Sequence, residues 1–250
     1  MHQRAAQALF APAAELLLDA MGQPAAGSWI VCVEPGSAAL FRGLGANPIL
    51  ANYPAVCVEL DPESLGRLVP PRRGGLVRGD PLFLPLASAR FDTVLANLVL
   101  GDPDLDVAML RGLVRLLAPG GRLLASALLI GTMDRLYDAA AELSAGAERG
   151  AEESGAIYDP ERLLRACKGV GLTDVHVGVE ERALLYPSAY ALTEDPLVQT
   201  AFLPETVRSQ TDPRVRTASL SKISEILVRV MGPRRFPARI VTGIVTARKS

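Results

Sequence analysis

Histidine is nearly missing from this 250-residue chain, and the two that occur, His2 and His176, cannot form a paired metal site. His176 alternates with Val175 and Val177 in an expected strand, which reads as a structural position rather than a catalytic one. Cysteine is scarce as well. Cys32, Cys57 and Cys167 are an odd number at spacings that match no zinc or redox motif. Cys32 and Cys57 lie inside valine-rich runs, where a thiol behaves as a small buried hydrophobe. Neither a Gly-x-Ser-x-Gly elbow nor a Gly-x-x-x-x-Gly-Lys-Ser/Thr loop occurs. These absences set aside hydrolase, P-loop and metalloenzyme chemistry.

Long apolar runs are lacking too. Stretches such as Leu123 to Ile130 fall well short of the roughly 18 residues a membrane-spanning helix needs. Pro12, Glu15 and Asp19 interrupt what would have to be an uncharged signal-peptide core, so a cytoplasmic address with no membrane association is expected. Lysine is confined to Lys168, Lys222 and Lys249, the remaining bases being arginine, a bias that reads as coding composition. The net charge of -1 offers no global field to recruit nucleic acid. Charge is uneven along the chain, with ten basic against three acidic residues from Ala201 to Ser250. That excess reads as a solvated helical face or as a surface for a protein partner.

A hydrophobic content of 49% with 21% charge describes a globular chain, and no repeat or linker divides it, so one domain over residues 1–250 is expected, opening on a helical segment over 1–28. Apolar runs of strand length recur at Trp29 to Val33, Ala55 to Glu59, Leu76 to Arg78, Phe91 to Ala96 and Arg122 to Leu128. They are nearly continuous rather than alternating, as strands covered on both faces should be. Helical patterns separate them, the clearest from Leu105 to Leu117, where Met109, Leu113, Leu116 and Leu117 form a stripe that Pro119-Gly120-Gly121 should end. Alternation of this kind predicts a doubly wound, Rossmann-like α/β sheet, mostly parallel. Two later strands, Asp174 to Glu180 and Ala238 to Arg248, bring the count to seven. The stretch 182–237 breaks the rhythm and is expected as a small helical insertion, with Leu220, Ile223, Ile226, Leu227 and Val230 along one helix face.

Asp-Pro occurs six times, at Asp61, Asp80, Asp102, Asp159, Asp195 and Asp212. The aspartate can cap a helix while the proline wastes no N–H, so most of these pairs should simply start helices or turns. A different pattern marks the first strands. Strand one ends in Val33-Glu34 and turns through Pro35-Gly36-Ser37; strand two ends at Glu59. A glycine turn after strand one and an acid after strand two form the arrangement that sets a nucleoside's ribose on a carboxylate.

The blocks that follow resemble those of class I S-adenosylmethionine-dependent methyltransferases. Val56-Cys57-Val58-Glu59-Leu60-Asp61-Pro62-Glu63-Ser64-Leu65 is similar to the family's second block. Gly79-Asp80-Pro81-Leu82-Phe83-Leu84-Pro85-Leu86 and Phe91-Asp92-Thr93-Val94-Leu95-Ala96-Asn97 resemble the third and fourth. The run from Arg111 to Leu123, through Pro119-Gly120-Gly121, resembles the helix, turn and fifth strand. The resemblance implies S-adenosylmethionine as cofactor, with Glu34 and Gly36 in the first turn. By the same resemblance Glu59 accepts from the ribose diol and Asp80 from the adenine amino group, Pro81 and Leu82 line the base, and Asn97 and Leu98 face the methionyl end. The residues themselves read Asn97 more simply, as a loop group bonding backbone. At the first block the chain departs from the family. Ala38 and Leu40 stand where glycines are expected, and Leu40 either packs inward or occupies the cofactor's space.

Two functions remain open at this point: methyl transfer to a small-molecule acceptor, with a carboxylate favoured because no well-placed histidine could deprotonate an alcohol, and a catalytically silent binding or assembly subunit. Tyr53, Tyr137 and Tyr158 are the alternative bases. A nicotinamide dehydrogenase would share the strand, glycine and acid logic but would need more glycines and a Tyr-x-x-x-Lys pair, which the chain lacks.

Overall fold

A computed structural model describes residues 2–34, 38–101, 103–143, 158–203 and 205–250. The chain forms helix α1 (His2–Met21), strand β1 (Ile30–Glu34), α2 (Ala39–Ala46), β2 (Ala55–Glu59), α3 (Pro62–Gly66), β3 (Gly74–Arg78) and β4 (Phe91–Leu100). It continues through α4 (Pro103–Leu116), β5 (Leu117–Leu128), α5 (Asp134–Leu143), α6 (Pro160–Gly169) and β6 (Leu172–Tyr186). The C-terminal part holds α7 (Ala189–Thr193), α8 (Glu205–Arg208), α9 (Pro213–Met231) and β7 (Phe236–Lys249). The strands make one sheet in the order β3-β2-β1-β4-β5-β7-β6. Parallel pairing joins β3, β2, β1, β4 and β5 in turn, and β7 lies antiparallel on β5. The doubly wound, mostly parallel sheet expected from the alternating pattern is therefore the fold. None of the described helices is long and apolar enough to cross a membrane.

The residues cluster into two compact units. The larger holds Gln7–Leu129, Ala156–Glu180 and Thr242–Ser250. Its strands β1 and β2 are buried at every position, as their unbroken apolar sequences demand. One face of the sheet is sealed by Leu17 and Met21 of α1 and by Leu40 and Leu44 of α2, packed with Ile30, Cys32, Cys57, Leu95 and Leu124. In α4, Met109, Leu113 and Leu116 are buried as the stripe predicted, and Leu110 joins them. The Pro-Gly-Gly sequence is not a stop for that helix. The helix has already ended at Leu116, and Pro119, Gly120 and Gly121 lie within β5, where pairing with β4 changes register between Phe91 and Thr93. Both glycines are needed there. Gly120 has φ of +73°, and a Cβ on Gly121 would come within 2.9 Å of the Ala118 carbonyl oxygen.

The smaller unit holds Met1–Ala6, Ile130–Gly155 and Glu181–Val241. In it α9 packs against α5 and α7, burying Ile223 and Leu227 as expected. Val230, expected on the same buried face, is 56% exposed, and Ser224 is buried instead, donating to the Leu220 carbonyl and meeting the Thr193 hydroxyl at 2.6 Å. Strands β6 and β7 are longer than their apolar cores suggested, extending to Tyr186 and from Phe236, so the helical insertion shrinks at both ends. The extensions mix exposed charged residues, Glu181 and Arg182, with buried Leu172, Tyr186 and Phe236. Arg239 of β7 bonds Glu181 of β6 at 2.6 Å and lies 3.5 Å from Asp134.

Four of the six Asp-Pro aspartates, Asp61, Asp80, Asp159 and Asp212, accept a backbone N–H from the turn they start. Asp195 accepts from Leu197 N and from the Tyr186 hydroxyl. Asp102 lies outside the described residues.

Cys32 and Cys57 face each other in the parallel register of β1 and β2, both fully buried. Burial is the main cause that holds both thiols well above their ordinary pKa, with Cys57 and then Glu34 adding to it at Cys32, and Glu34 and then Glu59 at Cys57. Native protein at pH 8 should therefore react with a maleimide at neither cysteine faster than it unfolds. Mass spectrometry of pulse-labelled samples checks this, and rapid modification of either thiol would contradict the strand assignment.

Candidate functional site

In a doubly wound sheet the crevice for a ligand opens at the carboxyl ends of the strands. Here those ends carry Glu34 on β1 and Glu59 on β2, opposite each other in register and both fully buried. Two carboxylates side by side in an apolar sheet demand donors, since an uncompensated buried charge costs several kcal/mol. The chain supplies them from the N-terminal end of α2. Leu40 N donates to Glu34 Oε2 at 2.9 Å, and Ala38 N donates to Glu59 Oε2 at 3.2 Å. Glu59 Oε1 also accepts from Asp61 N at 3.0 Å, tying down the start of α3. The N-cap residue of α2, Ala38, has no side-chain cap of its own, so the buried acids satisfy amides that a serine or aspartate would otherwise hold.

The two positions where glycine was expected resolve differently. Ala38 adopts the left-handed conformation, φ of 51° and ψ of 26°, that a glycine would hold there. Its methyl is fully buried, and the strain is on the order of 1–2 kcal/mol. Leu40 begins the helix and sends its side chain into the core with Leu17, Ile30 and Leu95. It packs inward and does not line the crevice. Gly36, with Pro35 and Ser37, lies outside the described residues.

Asn97 was expected in the loop after the fourth strand, bonding backbone; its amide does bond a backbone carbonyl, but its place is corrected. It is a fully buried residue within β4, at an irregularity where pairing with β5 passes from Ala96 with Ala125 to Leu100 with Ala127. Leu98 takes a positive φ of 51° at this bulge, which turns the Asn97 amide inward. Its Nδ2 donates to Glu34 Oε1 and to the Phe10 carbonyl, both at 3.0 Å, and its Oδ1 accepts from Ser126 Oγ at 2.9 Å. Ser126 Oγ in turn accepts from Leu98 N at 2.9 Å. One network thus joins the ends of β1, β4 and β5 to α1. Ser126 escaped the sequence reading because a lone serine in an apolar strand resembles any tolerated small residue.

Asp80 follows β3 and caps a single turn over Pro81–Phe83, its Oδ1 accepting from Leu82 N at 2.9 Å. The preceding Gly79 donates to the Glu59 carbonyl at 3.2 Å and has no room for a side chain, since a Cβ would lie 2.9 Å from Pro85 and 3.1 Å from Val58. Pro81 is buried, Leu82 half-buried and Phe83 exposed.

Of the three tyrosines considered as bases, Tyr53 and Tyr158 are committed to other acceptors and burial keeps Tyr137 protonated. Tyr53 donates to the Pro24 carbonyl at 2.6 Å. Tyr137 is pushed up to about 12 by burial. Tyr158, buried at a bridge to Leu129, donates to Asp106, whose carboxylate also accepts from Gly101 N at 3.1 and 3.2 Å. Burial and the Asp106 carboxylate drive the Tyr158 phenol far above its ordinary value, so it holds its proton. Asp106 was overlooked by sequence, although its spacing to Met109, Leu110 and Leu113 puts it on the buried stripe of α4.

Residues 35–125 match the family model of the methyltransferase domain. Over that stretch the chain is similar to the methyltransferase domain, and its strand order is that of the class I S-adenosylmethionine-dependent methyltransferase fold. No curated protein matches it. Among solved structures it resembles a putative methyltransferase of Bacillus halodurans at 14% identity, 94% of this chain covering 98% of that one with a TM-score of 0.60. A SAM-dependent methyltransferase of Archaeoglobus fulgidus aligns over the whole of both chains at 13% identity and a TM-score of 0.54. The Haemonchus contortus phosphoethanolamine N-methyltransferase 2, solved with phosphomonomethylethanolamine and S-adenosylhomocysteine, matches 94% of this chain with 52% of its own, at 15% identity and a TM-score of 0.53. At these identities the likeness is one of fold.

Two variants test the network. Asn97→Ala removes the donor facing Glu34 and the acceptor of Ser126, and should lower stability in urea by about 1–3 kcal/mol. Asn97→Asp should cost more, because a second carboxylate then faces Glu34. Ala38→Gly should raise stability by up to about 1 kcal/mol by removing the strained alanine. A loss of stability there would contradict the left-handed turn.

Proposed function

We propose that the protein transfers the methyl group of S-adenosylmethionine to a small-molecule acceptor, with the cofactor held at the carboxyl ends of the first four strands. The observation that carries this reading is the handling of the altered glycine block. Ala38 keeps the backbone shape a glycine would have, and Leu40 withdraws into the core, so the two substitutions leave the crevice side of the turn to the ligand. Methyltransferase-domain similarity over residues 35–125 and the S-adenosylhomocysteine bound by one structural neighbour support the cofactor.

In this reading Glu59 accepts hydrogen bonds from the ribose diol. Asp80 accepts from the adenine amino group, with Pro81 and Leu82 against the base and Gly36 at the close approach of the first turn. Glu34 and Asn97 hold the floor of the methionyl end rather than reaching out. The cofactor supplies an electrophilic methyl on a sulfonium whose leaving thioether is neutral, so the protein's task is alignment and exclusion of water. A carboxylate acceptor suits this chain, because it needs no proton removed and the tyrosines near the sheet are engaged as donors. The basic stretch from Ala201 to Ser250 is our choice for selecting the acceptor or a protein partner, on its net positive charge.

The competing reading, a silent relative, draws on the same carboxylates, since Glu34 and Glu59 already serve as internal caps. Calorimetric titration separates the two. Wild type should bind S-adenosylhomocysteine, and Glu59→Ala should weaken binding about 10–100-fold, with circular dichroism checking that the variant is folded. Asp80→Ala should weaken it less, because the adenine amino group is neutral. No heat from wild type at millimolar ligand, with binding restored only by Ala38→Gly, would establish the silent relative.

A further inference from the structure

Leucine rarely holds a left-handed backbone, because its side chain is crowded there and, unlike asparagine or aspartate, offers no local hydrogen bond in return. Leu98 holds one near the end of β4, with φ of 51°. Pairing of β4 with β1 ends at Val33 with Ala96, and pairing with β5 passes from Ala96 to Leu100. Residues 97–99 therefore stand outside both ladders at the carboxyl end of the strand. A strained peptide in such a place persists only where neighbours hold it.

The neighbour is Ser126 of β5. It is fully buried, and its Oγ accepts from Leu98 N and donates to Asn97 Oδ1, both at 2.9 Å. A hydroxyl has one proton to give, so donation to Asn97 turns its lone pairs toward the Leu98 amide and sets both bonds at once. Asn97 has further anchors, because its amide nitrogen also donates to Glu34 and to the Phe10 carbonyl. Loss of the Ser126 hydroxyl would leave Asn97 held by those two bonds, while the Leu98 N–H would lose its Ser126 acceptor.

We propose that Ser126 is a positioning residue for the methionyl end of the cofactor: by holding Leu98 left-handed, it sets the peptide groups of the β4 bulge that receive the amino-acid part of S-adenosylmethionine. This role presupposes the cofactor crevice proposed above and adds to it a residue that acts without touching the ligand. Peptide carbonyls suit that end of the cofactor, since its ammonium carries only donors. Adenine and ribose, placed against Asp80 and Glu59, gain nothing from the bulge.

S-adenosylhomocysteine and methylthioadenosine share adenine, ribose and sulfur, and only the first carries the amino acid. Calorimetric titration of both ligands reads the role, with circular dichroism checking that each variant is folded. Ser126→Ala should bind S-adenosylhomocysteine about tenfold more weakly than wild type, the worth of a hydrogen bond to a charged group, and methylthioadenosine within about twofold of it. A general loosening of the fold would move both affinities together. Leu98→Gly supplies a second readout, because glycine takes a positive φ without support. Adding Ser126→Ala to Leu98→Gly should change S-adenosylhomocysteine affinity by less than about twofold. Equal losses for the two ligands, no loss for either, or the same loss in the leucine and glycine backgrounds would overturn the role of Ser126 and leave the crevice standing. Wild type that binds neither ligand would sink the crevice and this role with it.

Discussion

Two carboxylates buried side by side at the ends of adjacent parallel strands are the constraint around which the larger unit is arranged. Each ionised group in such surroundings must collect several hydrogen bonds or neutralise. Glu34 and Glu59 collect theirs from Leu40 N, Ala38 N, Asp61 N and the Asn97 amide. In doing so they set where α2 and α3 begin and where β4 bulges. The acids also reach the thiols below them, contributing to the raised pKa of Cys57. A residue type usually read as a ligand for something else is here part of the fold's own wiring.

That dual use explains how the chain tolerates a first block that departs from the pattern of the family it resembles. A glycine is chosen at such a turn because positive φ strains any side chain. Ala38 accepts the strain, and its N–H still bonds Glu59 as a glycine's would. Leu40 adds a fully buried side chain to the core under α2. The altered block thus exchanges conformational ease for packing, and the same helix buries Phe41 and Leu44 in that core. Polar anchoring at one end of α2 and apolar packing along it come from eight residues.

Much of this was legible without coordinates. Continuous apolar strands separated by a period-3.6 stripe specify a covered parallel sheet, and the boundaries of β2 were readable to the residue because Tyr53-Pro54 and Asp61-Pro62 punctuate them. Glu34 and Glu59 were legible as strand-end acids. The far end of β6 was not, because Glu180-Glu181-Arg182 interrupts its apolar pattern with exposed charges, one of which Arg239 pairs, before buried Tyr186 closes the strand. The bulge at Leu98 was equally hidden, since nothing in Ala96-Asn97-Leu98-Val99 announces a positive φ.

The sequence by itself determined the layer architecture, the helix starts at Asp-Pro pairs and the family blocks, because each rests on local chemistry or on a period that survives in one dimension. Only the tertiary structure decided what the acids do. Whether Glu34 caps a helix, whether Leu40 fills a core or a crevice, and whether Tyr158 gives or takes a proton depend on Asn97, Leu17 and Asp106, partners that are dozens of residues away or turned inward by backbone geometry. Hydrogen bonds and packing act over a few ångströms of space, and sequence distance carries no record of them.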